Sequence, residues 1–375
     1  MFQKLPVPSS KLFVWVFIPY CIQGQELISE EYDNPETRQE LTDVFAELGL
    51  AWKWQPITLE NMHGVVEEIA ASSSEYTPGV LNFCDGFDEI DGYPGVSVVK
   101  VLEAKGIIFT GADAHFFNVG DSKILMKRAF VEVGVATAPY EVITDINHVQ
   151  GVCERLGTPL IVKAADSCGC QGLSLQSVVY RDEQIAAQVQ QLLQVQHEVQ
   201  FTLGNIFVER FIKGREFTVL VVGSAQQPNT LKIYPPLEEV FHPALPETER
   251  FFTRDLRLGT SSERTPLPPS EPFCSYQLVA SDLHQRLCDL GKRAYCAVGG
   301  NGYGRVDIRM EEASGELFVL EVNPNCGISS KPLFDISNPA TTKVGTILHL
   351  SSTPFAQLMS EIIAGAFARH STMSP

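Results

Sequence analysis

Basic residues are scarce in this chain: 28 lysines and arginines stand against 45 aspartates and glutamates, a formal net charge of −17. No run of Lys or Arg supplies a local patch, so a nucleic-acid backbone or an anionic lipid surface would be repelled, and neither is an expected partner. Zinc-type cysteine spacing is also missing. The nine cysteines are scattered, and the nearest pairs, Cys168 with Cys170 and Cys288 with Cys296, have neither finger nor ribbon spacing. Reduced thiols in the cytoplasm fit that usage. No apolar stretch approaches the roughly 20 residues of a membrane span. The most apolar one, Leu12 to Ile22, is interrupted by Pro19 and followed by no small-residue cleavage site, so it reads as a buried first strand rather than a signal peptide. No Gly-x-Gly-x-x-Gly follows that strand, which removes the signal for a dinucleotide. There is no internal repeat.

What is present is a globular composition, 44% hydrophobic over 375 residues. At roughly 150 residues per domain that length suggests two or three domains. A helix pattern with Leu41, Val44, Phe45 and Leu48 on one face closes at Gly49, where a left-handed cap is tolerated. An aromatic strand follows at residues 51–57. A second amphipathic helix carries Leu59, Met62, Val66 and Ile69, then come a strand at 79–84, a helix at 98–104 and a strand at 107–110. Such alternation predicts a parallel sheet, so the first 110 or so residues read as one Rossmann-like α/β domain.

Beyond it, Asp121 or Ser122 can cap a helix running to Val133, and a helix over 146–156 leads into strand 160–163. A small-residue loop, Ser167 to Gly172, separates that strand from the next at 173–179. Strands at 206–211 and 216–222 follow. Residues 235–272, rich in Pro, Ser, Thr and Glu, exceed an ordinary connection and read as a functional loop or lid or an insertion. A helix is expected over 275–298 and another over 355–366.

The segment from Gly304 to Asn325, GRVDIRMEEASGELFVLEVNPN, alternates polar and apolar residues around Ala313-Ser314-Gly315. Folded about Ser314 as a hairpin, it pairs Val306 with Val322, Ile308 with Leu320 and Met310 with Phe318 on an apolar face. The other face pairs Arg305 with Asn323 and Asp307 with Glu321. Two carboxylates directly opposite each other repel unless a cation lies between them. Asp307, Glu321 and Asn323 offer only hard oxygen ligands, which suit magnesium (or manganese) shared with substrate phosphates. A solvated hairpin neutralised by Arg305 is the plainer reading of the same residues.

Arg-x-Asp on one strand and Leu-x-Glu-x-Asn-Pro on the next resemble the metal-binding hairpin of the ATP-grasp superfamily, and more closely its D-alanine:D-alanine ligase branch. The resemblance runs from about Leu81 to Ala366. It implies an ATP-grasp fold behind an N-terminal Rossmann-like parallel-sheet domain: residues 1–115 on the substrate side, 116–209 with the phosphate loop, and 210–375 with the metal site. Ser122-Lys123 stands where the family has Asp-Lys, and Lys163 ends an IVKP-like strand; both lysines would hold ATP phosphates. Gly169 and Gly172 would lie in the loop covering those phosphates. Val208-Glu209-Arg210-Phe211 is similar to the adenine strand, so that Glu209 and the backbone near Phe211 would meet adenine and Glu216 the ribose. Arg305 would face the oxyanion of the tetrahedral intermediate. The implied reaction is phosphorylation of a small-molecule carboxylate by ATP, followed by attack of an amine on the acyl phosphate.

The departures concern the substrates. The family's glycine-methionine-threonine turn and carboxylate-holding serine are replaced by Cys326-Gly327-Ile328-Ser329-Ser330-Lys331-Pro332, with Lys331 or Pro332 in the serine's place. The His-Gly and Gly-Glu-Asp-Gly patterns become Cys84-Asp85-Gly86 and Asp88-Glu89-Ile90-Asp91-Gly92, and the amine-greeting glutamate falls to Glu26 or Glu30. Arg250 and Arg254 are candidates for the basic residue of the long loop. A substrate other than D-alanine is therefore expected. An ATP-grasp kinase and a non-catalytic ATP-binding module are the rival readings, and a homodimer is left open.

Overall fold

The computed structural model describes residues 3–24, 26–29, 32–88, 90–166, 170–194, 201–257, 267, 271–279, 281–333 and 340–373. The apolar run near the start is strand β1 (Leu12–Pro19), in which every side chain but Phe13 is buried. A short hairpin follows, β2 (Cys21–Gln23) with β3 (Glu26–Ile28). Helix α1 (Pro35–Leu48) starts where the Asn34 side chain accepts from Thr37 N–H and ends at Gly49, whose φ of 62° is the left-handed cap expected there. Then come β4 (Ala51–Ile57), α2 (Met62–Ser72), β5 (Thr77–Asn82), α3 (Val96–Ala104) and α4 (Ala114–Gly120). Strands β4, β1 and β5 form a parallel sheet in that order. The strand expected at 107–110 is present only as a single parallel bridge, Val80 to Phe109.

The central segment holds α5 (Lys123–Glu132), β6 (Tyr140–Ile143), α6 (Val152–Leu156), β7 (Leu160–Ala164), β8 (Val178–Val179), α7 (Asp182–Gln194) and β9 (Ile206–Arg210). Its antiparallel sheet runs β6-β9-β7-β8. The strand expected over 173–179 shrinks to two residues, because Ser174 to Ser177 close a tight turn in which Ser174 N–H donates to Ser177 Oγ at 3.1 Å and Ser177 N–H donates to Ser174 O at 3.1 Å.

The last segment holds β10 (Gly214–Ser224), β11 (Lys232–Ile233), β12 (Leu237–Phe241), α8 (Arg254–Arg257), β13 (Cys274–Leu278), α9 (Ser281–Ala297), β14 (Asn301–Glu311), β15 (Leu317–Pro324), α10 (Lys343–Leu350) and α11 (Phe355–Met373). Its sheet is ordered β13-β12-β10-β14-β15, with β11 also on β10. Two expectations change here. The stretch 235–272 is not wholly a loop, since β12 lies inside it. The helix expected over 275–298 begins only at Ser281, because residues 274–278 pair antiparallel with β12.

The hairpin β14–β15 also departs from its expected register. Asp307 faces Glu321, Val306 faces Val322 and Arg305 faces Asn323 as expected, but Ile308 faces Val319 and Met310 faces Leu317. A bulge between Asp307 and Ile308 leaves Leu320 over. Its cause is a second partner for β15: Val319 N–H donates to Ala136 O at 2.9 Å and Thr137 Oγ1 donates to Val319 O at 2.9 Å, which sets Val319 independently of β14.

The opposite faces of the last sheet make the core. Phe217, Val219, Val221, Val306 and Ile308 pack under α9 in a cluster that continues into α2, α3 and the first sheet. On the other face Leu220, Val222 and Tyr303 meet α11, which also covers Val14, Val16 and Ile18 of β1. The upper part of that face is polar, and it is where the candidate site lies.

Candidate active site between two sheets

Three lysines approach the site from the central segment. Lys123 opens α5, and its Nζ lies 3.4 Å from Glu321 Oε2 on β15. Lys127, one turn on, is buried, with Nζ 2.5 Å from Glu209 Oε2 and 2.8 Å from Thr137 Oγ1. Lys163 on β7 lies 2.7 Å from Glu209 Oε1. Glu209 is thus held between two cations at 2% exposure. Burial pushes its carboxyl up, but Lys127 and Lys163 outweigh that and hold it at about 2. Burial lowers the Lys127 ammonium below its usual range, whereas Lys163, also opposed by burial, is raised by Glu209. Both oxygens of the Glu209 side chain therefore face lysines.

The facing wall is the polar part of the last sheet. Strand alternation puts Glu216 and Thr218 of β10, Arg305, Asp307 and Arg309 of β14, and Glu321 and Asn323 of β15 on one side. Asp307 is the hub. It accepts from Thr218 Oγ1 at 2.5 Å, from Arg305 Nε and Nη2 at 3.0 Å each, and from Asn323 Nδ2 at 3.0 Å. Burial raises its carboxyl, yet Arg305 and Lys343 bring it down to about 2. Asn323 Nδ2 also reaches Glu321 Oε1 at 3.4 Å. Glu216 accepts from Arg309 Nε at 2.8 Å. Arg309 further donates to Ile212 O at 2.9 Å and to Arg250 O, and lies 4.9 Å above the Phe211 ring.

Lys127, Arg309 and Lys343 have no counterpart among the expected residues. Lys343 opens α10 and pairs with Glu239 of β12, which burial raises and Lys343 lowers, with Glu216 raising it further. The available signal was thin: Lys127 follows Lys123 by one helical turn, and Arg309 repeats the spacing Arg305-x-Asp307 by two more residues.

Other expected residues fall elsewhere. Lys331 does not reach the hub; it borders a surface groove of about 610 Å³ with Glu36, Glu40, Asp43 and Glu47 of α1. Pro332 bridges to Thr342, and the neighbouring Ser329 Oγ donates to Glu40 at 3.0 Å. Glu26 is exposed on β3. Arg250 donates within its own loop, to Leu245 O and Pro243 O, while Arg254 N–H reaches Leu173 O at 3.1 Å, joining the long loop to the central segment. Phe211 packs on Phe251 and Ile161. Gly172 has a φ of 74° and abuts Leu192. Gly169, Cys168, Glu30 and Glu89 lie outside the described residues.

Residues 121–235 match the family described as "Phosphoribosylglycinamide synthetase, ATP-grasp (A) domain", and residues 270–343 match "D-ala D-ala ligase C-terminus". A D-alanine–D-alanine ligase of Acinetobacter baumannii (strain AYE) is 27% identical over 272 residues, covering 72% of this chain and 79% of that protein. One of Geobacter sulfurreducens is 28% identical over 237 residues, 63% and 65% of the two chains. The solved D-alanine–D-alanine ligase of Bacillus anthracis complexed with ATP superposes with a TM-score of 0.64 at 17% identity, covering 96% of this chain and 99% of that one. That of Coxiella burnetii gives 0.62 at 16%, with coverage of 96% and 97%. With the expected fold and the two family matches in place, the chain has the ATP-grasp fold and is related to the D-alanine–D-alanine ligases.

Proposed function

We propose that the chain joins a small carboxylic acid to an amine through an acyl phosphate made from ATP, and that the acid is an amino acid or similar molecule other than D-alanine. The observation that carries this reading is the approach of Lys123 on the central segment to Glu321 on the last sheet, 3.4 Å apart. It brings a candidate phosphate cation and a candidate metal ligand from different segments to one point. Residues 1–115, 116–209 and 210–375 are the substrate-side, phosphate-loop and metal-bearing parts in this reading.

The donor set suits magnesium. Among the described residues no three His, Cys, Asp or Glu side chains cluster to hold a metal, so the ion would rest on the Asp307 and Glu321 carboxylates and on Asn323, once its amide turns to present oxygen. An ion with so few protein ligands keeps positions for phosphate oxygens, and when bound it would neutralise charge developing on the transferred group. Lys123 and Lys163 would cradle the phosphates, with Glu209 and Lys127 fixing Lys163 and the end of α5. Arg305, held by Asp307, would face the oxyanion formed when the amine attacks. Glu216 would receive the ribose hydroxyls.

The altered first-domain loop supports a different substrate. Asp85, at the carboxyl end of β5, accepts from Tyr32 OH at 3.1 Å. Burial pushes the nearby Cys326 thiol up to about 12 against the lowering effect of Arg305, with Asp307 and, more weakly, Asp85 adding to the rise. An acid there suits an amino or other cationic group of the substrate. Cys21, Cys84, Cys153, Cys274, Cys288, Cys296 and Cys326 are free thiols, in keeping with a cytoplasmic enzyme.

The decisive assay incubates purified protein with magnesium, ATP and a panel of amino acids and small acids, following ADP and phosphate. Phosphate release that requires both an acid and an amine is expected, with D-alanine poorer than the best substrate. No amine-dependent release with any pair sinks the ligase mechanism, and a stable phosphorylated product turns the reading to a kinase. D-alanine as the best substrate overturns the specificity alone.

A further inference from the structure

We infer that Arg309 is a positioning residue that sets the nucleotide pocket's preference for an intact ribose, acting through Glu216. The inference rests on the reading of this cleft as an ATP site. Arg309 is 3% exposed, and its guanidinium is shared among three separate pieces of chain. Nε donates to Glu216 Oε2 at 2.8 Å, Nη1 donates to Ile212 O at 2.9 Å in the crossing from β9 to β10, and Nη2 donates to the carbonyl of Arg250 in the long loop. The ring of Phe211 lies beneath it at 4.9 Å and that of Phe241 at 6.0 Å. Its cross-strand neighbours are Glu216 on one side and Phe318 on the other, and Phe318 packs on Ile212 and Ala138.

This arrangement does more than neutralise a buried charge. A planar guanidinium with donors in a fixed fork orients what it binds. By holding Oε2, it fixes the plane of the Glu216 carboxylate and leaves Oε1, which accepts no hydrogen bond among the described residues, as the oxygen for a hydroxyl. Through Ile212 and Arg250 the same side chain ties that carboxylate to the crossing strand and to the long loop, so the distance from base to ribose contact is set by one group. An apolar side chain at 309 would fill the same space on Phe211 without orienting Glu216.

The test compares binding of ATP, 2′-deoxy-ATP and 3′-deoxy-ATP, each with magnesium, to the full chain and to Arg309→Met, Arg309→Lys and Glu216→Gln by calorimetry. Wild type is expected to prefer ATP over the weaker deoxy analogue by roughly tenfold, the worth of one hydrogen bond to a charged group. In Arg309→Met that ratio should fall to about one, and adding Glu216→Gln should lower it no further, as for residues acting as a unit. Arg309→Lys, which cannot reach Glu216 and Ile212 together, should give an intermediate ratio. A merely structural arginine would weaken all three nucleotides alike, so a wild-type ratio in Arg309→Met overturns the inference whatever the overall affinity. If that variant does not fold, a wild-type ratio in Arg309→Lys overturns it instead. Wild type that binds no nucleotide refutes the functional reading beneath it, whereas a discriminating wild type matched by its variants refutes the role of Arg309 alone.

Discussion

Lys127 Nζ and Glu209 Oε2 lie 2.5 Å apart with their side chains 1% and 3% exposed, and the same ammonium reaches Thr137 Oγ1, whose hydroxyl donates to Val319 O on β15. A charge pair this deep is costly to break from one side. Lys127→Met leaves Glu209 with Lys163 alone and Thr137 without its donor, and should lower stability by about 3–5 kcal/mol, the range for removing one partner of a buried pair. Urea unfolding should show a lower midpoint at unchanged slope. Lys127→Met with Glu209→Gln should recover part of the loss; a single variant with a wild-type midpoint would show that the pair contributes nothing.

Acid should act on the same carboxylate. Glu209 is held at about 2 against its ordinary 4.5, and a depressed folded-state value means that its contribution is complete above the unfolded value. That stability is lost as pH falls from about 4.5 towards 2, and it amounts to at most about 3 kcal/mol at 1.36 kcal/mol per unit. Asp307, also at about 2 against 3.8, adds loss in a similar window. The plot of unfolding free energy against pH below 5 should therefore be shallower for Glu209→Gln than for wild type. Parallel curves would remove Glu209 from the acid response.

Local pattern carried the fold well where it was strong and failed where a distant segment intervened. The alternation of β14 and β15 predicts Asp307 opposite Glu321, and the cap at Gly49 closes α1 as its position implies. The register beyond Asp307 was not legible, because it depends on Ala136 and Thr137, about 180 residues upstream of Val319. Residues 275–278 read as helix because the apolar pattern of α9 runs up to them, yet pairing with β12 takes them into the sheet. The same limit applies to the site. Asp307 and Glu321 share a hairpin and reveal each other, whereas Lys127, Arg309 and Lys343 gain meaning only from Glu209, Glu216 and Glu239, each more than 80 residues away.

Glu321 and Thr218 separate chemistry from stability at the hub. The Glu321 side chain is 27% exposed, so Glu321→Gln should leave thermal unfolding within about 2 °C of wild type, as for a substitution outside the core, while abolishing turnover. Thr218 is fully buried and donates to Asp307 Oδ1 at 2.5 Å. Thr218→Val keeps the shape and removes the donor, which should lower stability by about 1–3 kcal/mol and raise the magnesium needed for half-maximal activity. Wild-type activity in Glu321→Gln would refute the metal assignment, and an unchanged magnesium requirement in Thr218→Val would confine Thr218 to structure.

The loop after Asn323 is pinned to Ala112, just before α4, and that joint should control both stability and substrate use. Asn325 has a positive φ of 46°, and its Oδ1 accepts from Ala112 N–H at 2.8 Å. A Cβ on Gly302, at φ +108°, would meet Gly111 O at 2.1 Å, so the backbones of β14 and of residue 111 touch with no room for a side chain. Asn325→Ala removes the tie and a residue type tolerant of the left-handed region, and should cost about 1–3 kcal/mol. Asn325→Asp keeps an acceptor for Ala112 and should recover much of that loss. Because Asn323 lies two residues before this joint, Asn325→Ala should also raise KM for the carboxylate substrate more than KM for ATP, as expected if the joint seats the first domain over Arg305. Equal changes in the two constants would place its effect on the whole cleft instead.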